Sequence, residues 1–187
     1  MTTALTGAVE LLDRSLGYTR VVLADVDGAH LDRPTPCRDW SLGDLLAHME
    51  DALDAFTEAA GGEIRTAPLP SVVPATVPQV GRLRAKACAL LGAWTGEAPE
   101  GVSVSGRAVP SELLVATAAL EVTVHGWDVG RSLGTGGPVP DELARHLLEV
   151  AQRLVQSQDR AVRFAPPLPV SPDAAPGERL LAFLGRR

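Results

Sequence analysis

The sequence has 187 residues, a net charge of −6 and an apolar fraction of 45%, which is enough for one globular domain with a hydrophobic core. The acidic balance argues against a nucleic-acid-binding surface. No apolar run approaches the roughly 20 residues of a membrane span, and the N-terminus lacks the pattern of a signal peptide. The two cysteines, Cys37 and Cys88, are far apart and do not indicate a disulfide framework. We therefore expect a cytoplasmic protein that binds neither nucleic acid nor membrane, with residues 1–187 forming a single domain.

The first helix is predicted over residues 3–26, because its apolar positions recur at near-helical spacing. Two prolines in the loop 32–40 end it, since proline cannot continue a regular helix. Ser41 is then a favourable N-cap, and Asp44 stands in the acidic position of a capping box. A second helix is accordingly predicted at about 42–60, where a pair of glycines ends it.

Two segments rich in proline, glycine or serine are predicted to be loops, at 63–77 and 95–109. Between them, an apolar stripe predicts a third helix at about 78–94. A short extended piece is indicated at 102–104. The helical periodicity of the rest of the chain predicts no sheet of more than two short strands.

The remaining periodic segments predict a fourth helix at about 110–133, a fifth at about 140–158 and a short last helix at 178–184. Five prolines lie between the last two. The predicted fold class is therefore all-α. We expect an up-and-down four-helix bundle with an extra helix over about 3–160, followed by an extended C-terminal arm over about 161–187.

Glu121 and His125 are four residues apart in the fourth helix, so their side chains point from the same face, about one turn apart. Their neighbours are mostly apolar, and a buried carboxylate and imidazole are costly unless something pairs with them. A divalent metal ion would pair with both, and His48 in the second helix is a third candidate ligand. Two imidazoles and one carboxylate leave coordination positions open, as in catalytic metal sites.

Two alternatives to a metal site stay open from the residues alone. A Glu–His pair at this spacing also occurs on exposed helix surfaces, where it stabilises the helix by roughly 0.2–0.5 kcal/mol. Single histidines are more often ordinary core or surface residues than ligands. Helical geometry by itself does not establish that Glu121 faces His48.

Two longer motifs around these residues carry a family resemblance. Residues 35–48 and 121–128 have the sequences TPCRDWSLGDLLAH and EVTVHGWD. They resemble the T-P-C-x-x-W-x-x-x-D-L-x-x-H and E-x-x-x-H-x-W-D signatures of the mycothiol-dependent maleylpyruvate isomerase metal-binding family, which belongs to the DinB-like helical bundles. The resemblance covers nearly the whole chain, and the closing segment is similar to an uncharacterised single-domain branch.

The resemblance implies that His48, Glu121 and His125 are the three metal ligands. It implies zinc as the ion, with nickel or another divalent ion as alternatives, because imidazole and carboxylate ligands accept several metals. It also implies a low-molecular-weight thiol such as mycothiol as cosubstrate. Asp44 and Asp128 are weaker candidates for groups that orient the ligands, and for Asp44 a role only in capping the helix is the favoured alternative.

The implied function is that of a thiol-dependent transferase or isomerase acting on a small electrophile. The alternatives are a metal-dependent hydrolase, a non-catalytic protein that binds a metal or a small ligand, and a degenerate bundle whose polar cluster only fixes packing. The isomerase itself carries a further C-terminal domain, so the substrate is left open. The expected partners are a small-molecule substrate and a thiol, and the sequence is compatible with a homodimer.

Residues around the motifs are expected to support the site or to lie outside it. Cys37 is expected to be a buried packing residue, and Trp40 and Trp127 to form core or pocket wall. His30 and His146 are expected not to be ligands. Four arginines could meet an anionic cosubstrate, and the sequence favours none of them: Arg38, Arg82, Arg84 and Arg131.

Overall fold

The computed structural model describes residues 2–37, 39–64, 78–161 and 164–187. Contacts divide the chain into two compact units, Met1–Gly136 and Gly137–Arg187. The single-domain organisation stays a prediction, and most of the predicted loop 63–77 lies outside the described residues. Within the described ranges, no helix combines the length and the apolar character that crossing a membrane requires.

Four long helices form the first unit. They are α1 (Thr3–Val22), α2 (Leu42–Ala59), α3 (Gln79–Thr95) and α4 (Ser111–Leu133). Helix α1 packs on α4 and α3, and α2 packs on α3 and α4, so that each helix has two neighbours around a common core. Leucines are prominent among its fully buried side chains, which include Leu12, Leu42, Leu45, Leu46, Leu83 and Leu90. The predicted all-α bundle is therefore confirmed.

The helix ends follow the capping signals of the sequence. The Ser41 hydroxyl accepts a hydrogen bond from the backbone N–H of Asp44, and the Asp44 carboxylate accepts one from the backbone N–H of Ser41. This is the predicted capping box. Gly134 ends α4 with φ 76°, a left-handed conformation that glycine adopts without steric cost. The predicted first helix is too long, because its last turn is a 3₁₀-helix at Leu23–Asp25.

The second unit contains α5 (Asp141–Leu154), a 3₁₀-helix (Ser157–Ala161), and α6 (Pro176–Phe183), which packs on α5. Helix α5 ends four residues earlier than predicted, because Val155 adopts an extended conformation. The last helix begins earlier than predicted, with proline in its first turn, where the missing N–H costs no hydrogen bond.

Three short strands form a small sheet in the first unit, so the expectation of at most two strands is wrong. Strand β1 (Glu63–Ile64) pairs in parallel with β2 (Gly101–Val104), which pairs antiparallel with β3 (Arg107–Pro110). The β2–β3 hairpin turns at Ser105 and Gly106, both with positive φ (49° and 76°), as two-residue hairpin loops require. The extended piece predicted at 102–104 lies within β2. Strand β1 has only two residues and shows no sequence period, and β3 lies mostly in a segment predicted to be a loop.

The close approach of α1 to α4 positions Glu121 and His125 on α4. The Thr19 hydroxyl donates a hydrogen bond of 2.8 Å to the Val122 carbonyl. A Cβ atom at Gly126 would overlap the Thr19 hydroxyl and lie 3.1 Å from its Cβ and Cγ2 atoms. Gly126 therefore allows α1 to pack directly against the turn of α4 that carries Glu121 and His125.

Candidate functional site

The three predicted ligands come together inside the first unit. Helix α2 supplies His48 and α4 supplies Glu121 and His125, and one ligand atom from each lies within 4.8 Å of the others. Glu121 Oε2 is 3.2 Å from His125 Nε2. The rings of His48 and His125 are nearly perpendicular, with centroids 5.0 Å apart. The packing of α2 against α4 thus joins residues that are far apart in the sequence.

Asp128 lies on the opposite side of the His125 ring from Glu121. Its Oδ2 atom is 3.1 Å from His125 Nδ1, and its carboxylate is fully buried. A metal-ligating histidine commonly donates its second ring nitrogen to a carboxylate, which fixes the ring and its tautomer. The contact is the one expected of a group that orients His125.

Cys37 also contacts this cluster, so the expectation that it only packs is wrong. Its thiol donates to Asp128 Oδ2 at 3.3 Å and lies 3.9 Å from His125 Nδ1. The turn that carries it is held by Thr35. The hydroxyl group of Thr35 accepts a hydrogen bond from the Cys37 N–H and donates one to the Trp40 carbonyl. Asp39 takes φ 65° in the same turn. The Thr-Pro-Cys sequence before the N-cap is the signal that could have placed Cys37 here.

Asp44 serves the end of α2. Its Oδ2 atom accepts hydrogen bonds from the Ser41 hydroxyl at 2.6 Å and from the Ser41 N–H at 3.0 Å. These bonds, first from the hydroxyl and then from the backbone, lower the pKa of the Asp44 carboxyl. These contacts are those of a helix cap, which is the role that the sequence favours for Asp44.

Of the two predicted tryptophans, Trp40 contacts the site, whereas Trp127 is a buried core residue. The ring of Trp40 is tilted against that of His48, with centroids 4.9 Å apart, and 37% of Trp40 is exposed. Trp127 is buried, and the Arg131 guanidinium lies 5.5 Å from the centre of its ring. Trp40 therefore limits the access of water to one side of His48.

The two histidines have opposite electrostatic surroundings. Burial and the neighbouring His125 lower the pKa of His48, against the opposing effects of Glu121 and Asp51. The lowered pKa favours the neutral imidazole of His48, which is the form whose lone pair can bind a metal ion.

His125 is held between two carboxylates. Its burial alone would lower its pKa, but hydrogen bonds with Asp128, Cys37 and Glu121 outweigh this and raise the pKa well above the ordinary value.

Burial, followed by the charge of Asp128, also raises the pKa of Tyr18 to about 12. Sequence reasoning missed Tyr18, because only the packing of α1 on α4 brings it near Asp128.

A cavity of about 660 Å³ adjoins the site and lies between the four helices of the first unit. Glu121 and His125 form part of its wall. Most of the remaining wall is apolar, and it includes Leu16, Leu23, Met49, Leu53, Phe56, Leu83 and Leu91. A volume of this size suits a small organic ligand.

Three arginines line the cavity, of which sequence reasoning named only Arg84; Arg14 and Arg20 were missed. No sequence signal marks those two, because their position depends on how α1 packs. The other three predicted arginines have different outcomes. Arg82 pairs with Glu50, Arg131 lies over Trp127, and Arg38 lies outside the described residues.

His30 and His146 are outside both clusters of potential metal ligands found among the described residues. His30 contacts Asp27, and His146 Nδ1 lies 2.9 Å from the Glu142 carbonyl oxygen. Both contacts are local to their own turns of the chain.

The sequence between residues 12 and 130 matches the model of the family described as the mycothiol maleylpyruvate isomerase N-terminal domain. This match covers more than half of the chain. The chain belongs to this family. The matched range of this chain includes both sequence motifs and the three converging side chains, His48, Glu121 and His125.

Similar proteins extend over most of the chain. Two uncharacterized proteins, from two strains of Mycobacterium tuberculosis, are 28% identical to it over 171 residues, which is 88% of this chain and 90% of each relative.

Solved structures show the same fold. The crystal structure of a mycothiol-dependent maleylpyruvate isomerase is 23% identical, with a TM-score of 0.55, and the match covers 79% of this chain and 71% of that one. A histidine-to-alanine mutant of such an isomerase matches with 21% identity and a TM-score of 0.54, over 80% of this chain and 70% of that one. The predicted DinB-like helical fold is therefore confirmed.

Proposed function

We propose that this protein is a divalent-metal-dependent enzyme that uses a small thiol of the mycothiol type. The enzyme would isomerise a small electrophile or transfer the thiol to it. His48, Glu121 and His125 would hold the ion. The observation that carries the proposal is that these three potential ligands converge, and that two of them, Glu121 and His125, lie in the wall of a cavity large enough for a substrate.

The donor set fits a divalent metal ion. Zinc binds imidazole nitrogen and carboxylate oxygen at about 2.0–2.2 Å, so two ligands of one ion lie roughly 3–4 Å apart. The 3.2 Å between Glu121 Oε2 and His125 Nε2 is in this range. The contact of Asp128 with the other nitrogen of His125 adds the outer hydrogen bond that histidine ligands commonly have. We propose zinc first among the divalent ions.

A bound divalent ion would favour the thiolate form of a thiol over the neutral form. The protein's own groups have simpler tasks. Asp128 holds the His125 ring through Nδ1 and leaves Nε2 directed towards Glu121. Trp40 packs against one side of His48, and the mostly apolar cavity wall lowers the polarity of the space beside Glu121 and His125.

The cavity favours an enzyme over a protein that only stores a metal. A protein that only stores a metal needs a complete ligand set and no adjoining space for a substrate, whereas Glu121 and His125 here face a cavity. The name of the family and the maleylpyruvate isomerases of similar fold support a mycothiol-linked, isomerase-like activity.

The proposal is tested by metal analysis followed by thiol titration. Protein purified without chelators should contain about one equivalent of a divalent metal by mass spectrometry. After cobalt substitution, added mycothiol should produce a sulfur-to-cobalt charge-transfer band. His48→Ala should abolish the band. His146→Ala is the matched control and should retain it, because His146 is exposed and its ring contacts a carbonyl of its own helix.

Three results would count against the proposal. Protein without metal would favour a polar cluster that only fixes packing. Metal without a thiol band would favour a metal-dependent hydrolase or a binding protein. A band that is present before thiol is added and disappears with Cys37→Ser would show that the protein supplies its own sulfur ligand.

A further inference from the structure

The side chains of the cavity wall indicate which kind of molecule the cavity can hold. Helices α1, α2 and α3 contribute aliphatic side chains, together with the ring of Phe56 and the thioether of Met49. Such walls gain free energy from apolar ligand surface and offer few partners to a ligand with many hydroxyl groups. The body of the ligand should therefore be apolar.

Among the charged groups of the cavity wall, cations outnumber carboxylates. Arg14, Arg20 and Arg84 supply three guanidinium groups, and all three arginines are exposed at the cavity. The carboxylates of the wall are those of Asp13 and Glu121, and Glu121 belongs to the cluster of proposed metal ligands. Cations predominate here, although the whole chain has a net charge of −6. This local excess favours an anionic group on the ligand.

We propose that the cavity binds an amphipathic organic carboxylate, with its apolar body between the helices and its carboxylate paired with the arginines Arg14, Arg20 and Arg84. This inference deepens the proposed function, on which it rests for the reaction, because it names the class of electrophile that would lie beside Glu121 and His125 in the cavity. The volume of about 660 Å³ accommodates a chain or ring system of drug-like size.

Saturated carboxylates test the binding without any reaction. Isothermal titration calorimetry on the metal-loaded protein should show that affinity rises from hexanoate to octanoate to decanoate. The expected rise is about fourfold for each added methylene, which corresponds to about 0.8 kcal/mol per buried CH₂. Decanol and decyltrimethylammonium should bind at least tenfold more weakly than decanoate. Equal binding of the three decyl compounds would overturn the role of the arginines.

Variants test the two parts of the cavity separately. Replacing Arg14, Arg20 and Arg84 together by Gln should weaken decanoate binding at least tenfold and leave decanol binding unchanged. Arg145→Gln is the matched control, since Arg145 is an exposed arginine of α5 that does not line the cavity. A triple variant that binds decanoate as the wild type does would overturn the proposal.

The apolar part is tested with a pair of substitutions on α3. Ala87 lines the cavity, whereas Ala89 is exposed and is not part of the wall. Ala87→Phe should reduce decanoate binding at least tenfold, and Ala89→Phe should not change it. Circular dichroism establishes that both variants are folded. Equal effects of the two substitutions would place the ligand elsewhere.

Cys88 gives an independent measure of where the ligand lies, because it lines the cavity and is exposed. Decanoate should slow the reaction of Cys88 with a maleimide, as followed by peptide mass spectrometry, which separates it from Cys37. Unchanged labelling at saturating decanoate would contradict binding in the cavity.

The same titrations separate a failure of this inference from a failure of the proposed function. If decanoate binding is lost with His48→Ala and not with the triple arginine variant, the carboxylate binds the ion and the inference is wrong. If decanoate binds as described while no thiol band forms in the cobalt protein, the inference stands and the thiol chemistry fails.

Discussion

Two clusters of ionisable side chains lie within the same four-helix unit, and they differ in what they contain. The cluster between α2 and α3 pairs two carboxylates with two cations. Arg82 donates two hydrogen bonds to Glu50, at 2.8 and 2.9 Å, and Lys86 Nζ lies 2.5 Å from Asp54 and 3.6 Å from Glu50. Lys86 and Glu50 are both buried. The charges of this cluster balance one another, which suits a fixed contact between two helices.

The cluster between α2 and α4 consists of groups that offer a metal ion a lone pair once they are deprotonated. These groups are two imidazoles, two carboxylates and a thiol, in His48, His125, Glu121, Asp128 and Cys37. Guanidinium and ammonium groups offer no such lone pair at neutral pH. Buried charge alone therefore does not indicate function. The type of partner separates an ion-pair network from a candidate metal site.

The largest expected effect that separates the two clusters is the loss of metal with His125→Ala. Removal of a ligand should lower metal affinity by more than the 10–100-fold that loss of an outer hydrogen bond costs. The helices should still form, because the leucine core does not include the site. Metal content and far-ultraviolet circular dichroism measure the two properties. Unfolding on metal removal from the wild type would instead indicate a structural ion.

Glu50→Ala should have the converse effect, lowering stability without changing metal affinity. It removes one of the two carboxylates near the buried Lys86 ammonium. Breaking a buried ion pair costs about 3–5 kcal/mol, and because Asp54 remains we expect about 3 kcal/mol. Urea unfolding measures the change. A fall in metal affinity would mean that the two clusters are energetically coupled.

Asp128→Asn should weaken metal binding by about 10–100-fold, since it replaces the carboxylate that contacts His125 Nδ1. Competition with a chromophoric chelator measures the affinity. Asp54→Asn in the other cluster is the control and should leave it unchanged. Equal affinities of the wild type and Asp128→Asn would exclude Asp128 from the orientation of His125.

The smallest effect is expected for Asp44, which tests whether this acid caps a helix or supports the site. Its pKa is lowered in the folded state by the hydroxyl and then the backbone N–H of Ser41. Its stabilising contribution is therefore present above the ordinary pKa and is lost as the pH falls through the lowered folded value.

The stability difference between the wild type and Asp44→Asn should accordingly be constant near neutral pH and should shrink below about pH 4. Urea titrations across this range measure it. Metal affinity should not change. A weaker metal affinity in Asp44→Asn would assign Asp44 to the site and remove the distinction from Asp128.

The sequence predicted the elements whose signals are local. Apolar steps of three and four gave the four helices of the bundle, and Ser41 with Asp44 gave the start of α2. The spacing of Glu121 and His125 placed both on one face of α4. Of the small sheet, only an extended piece at 102–104 within β2 was predicted, because β1 has two residues and the hairpin turn lies in a segment rich in turn formers.

The convergence of His48 with Glu121 and His125 was only a hypothesis at the level of sequence. Helical periodicity defines a face but not the helix against which it packs. Within the structure, the contact of α2 with α4 and the close approach of α1 at Gly126 settle that question.

The amino-acid sequence by itself determined the helical elements, their caps and the two motifs that carry the family resemblance, because these depend on residues a few positions apart. Only the tertiary structure decided that Cys37 contacts Asp128 and that Tyr18 lies near it. It alone also placed Arg14 and Arg20 beside an apolar cavity. These contacts join different helices, and they depend on how complementary surfaces pack, which no local period encodes.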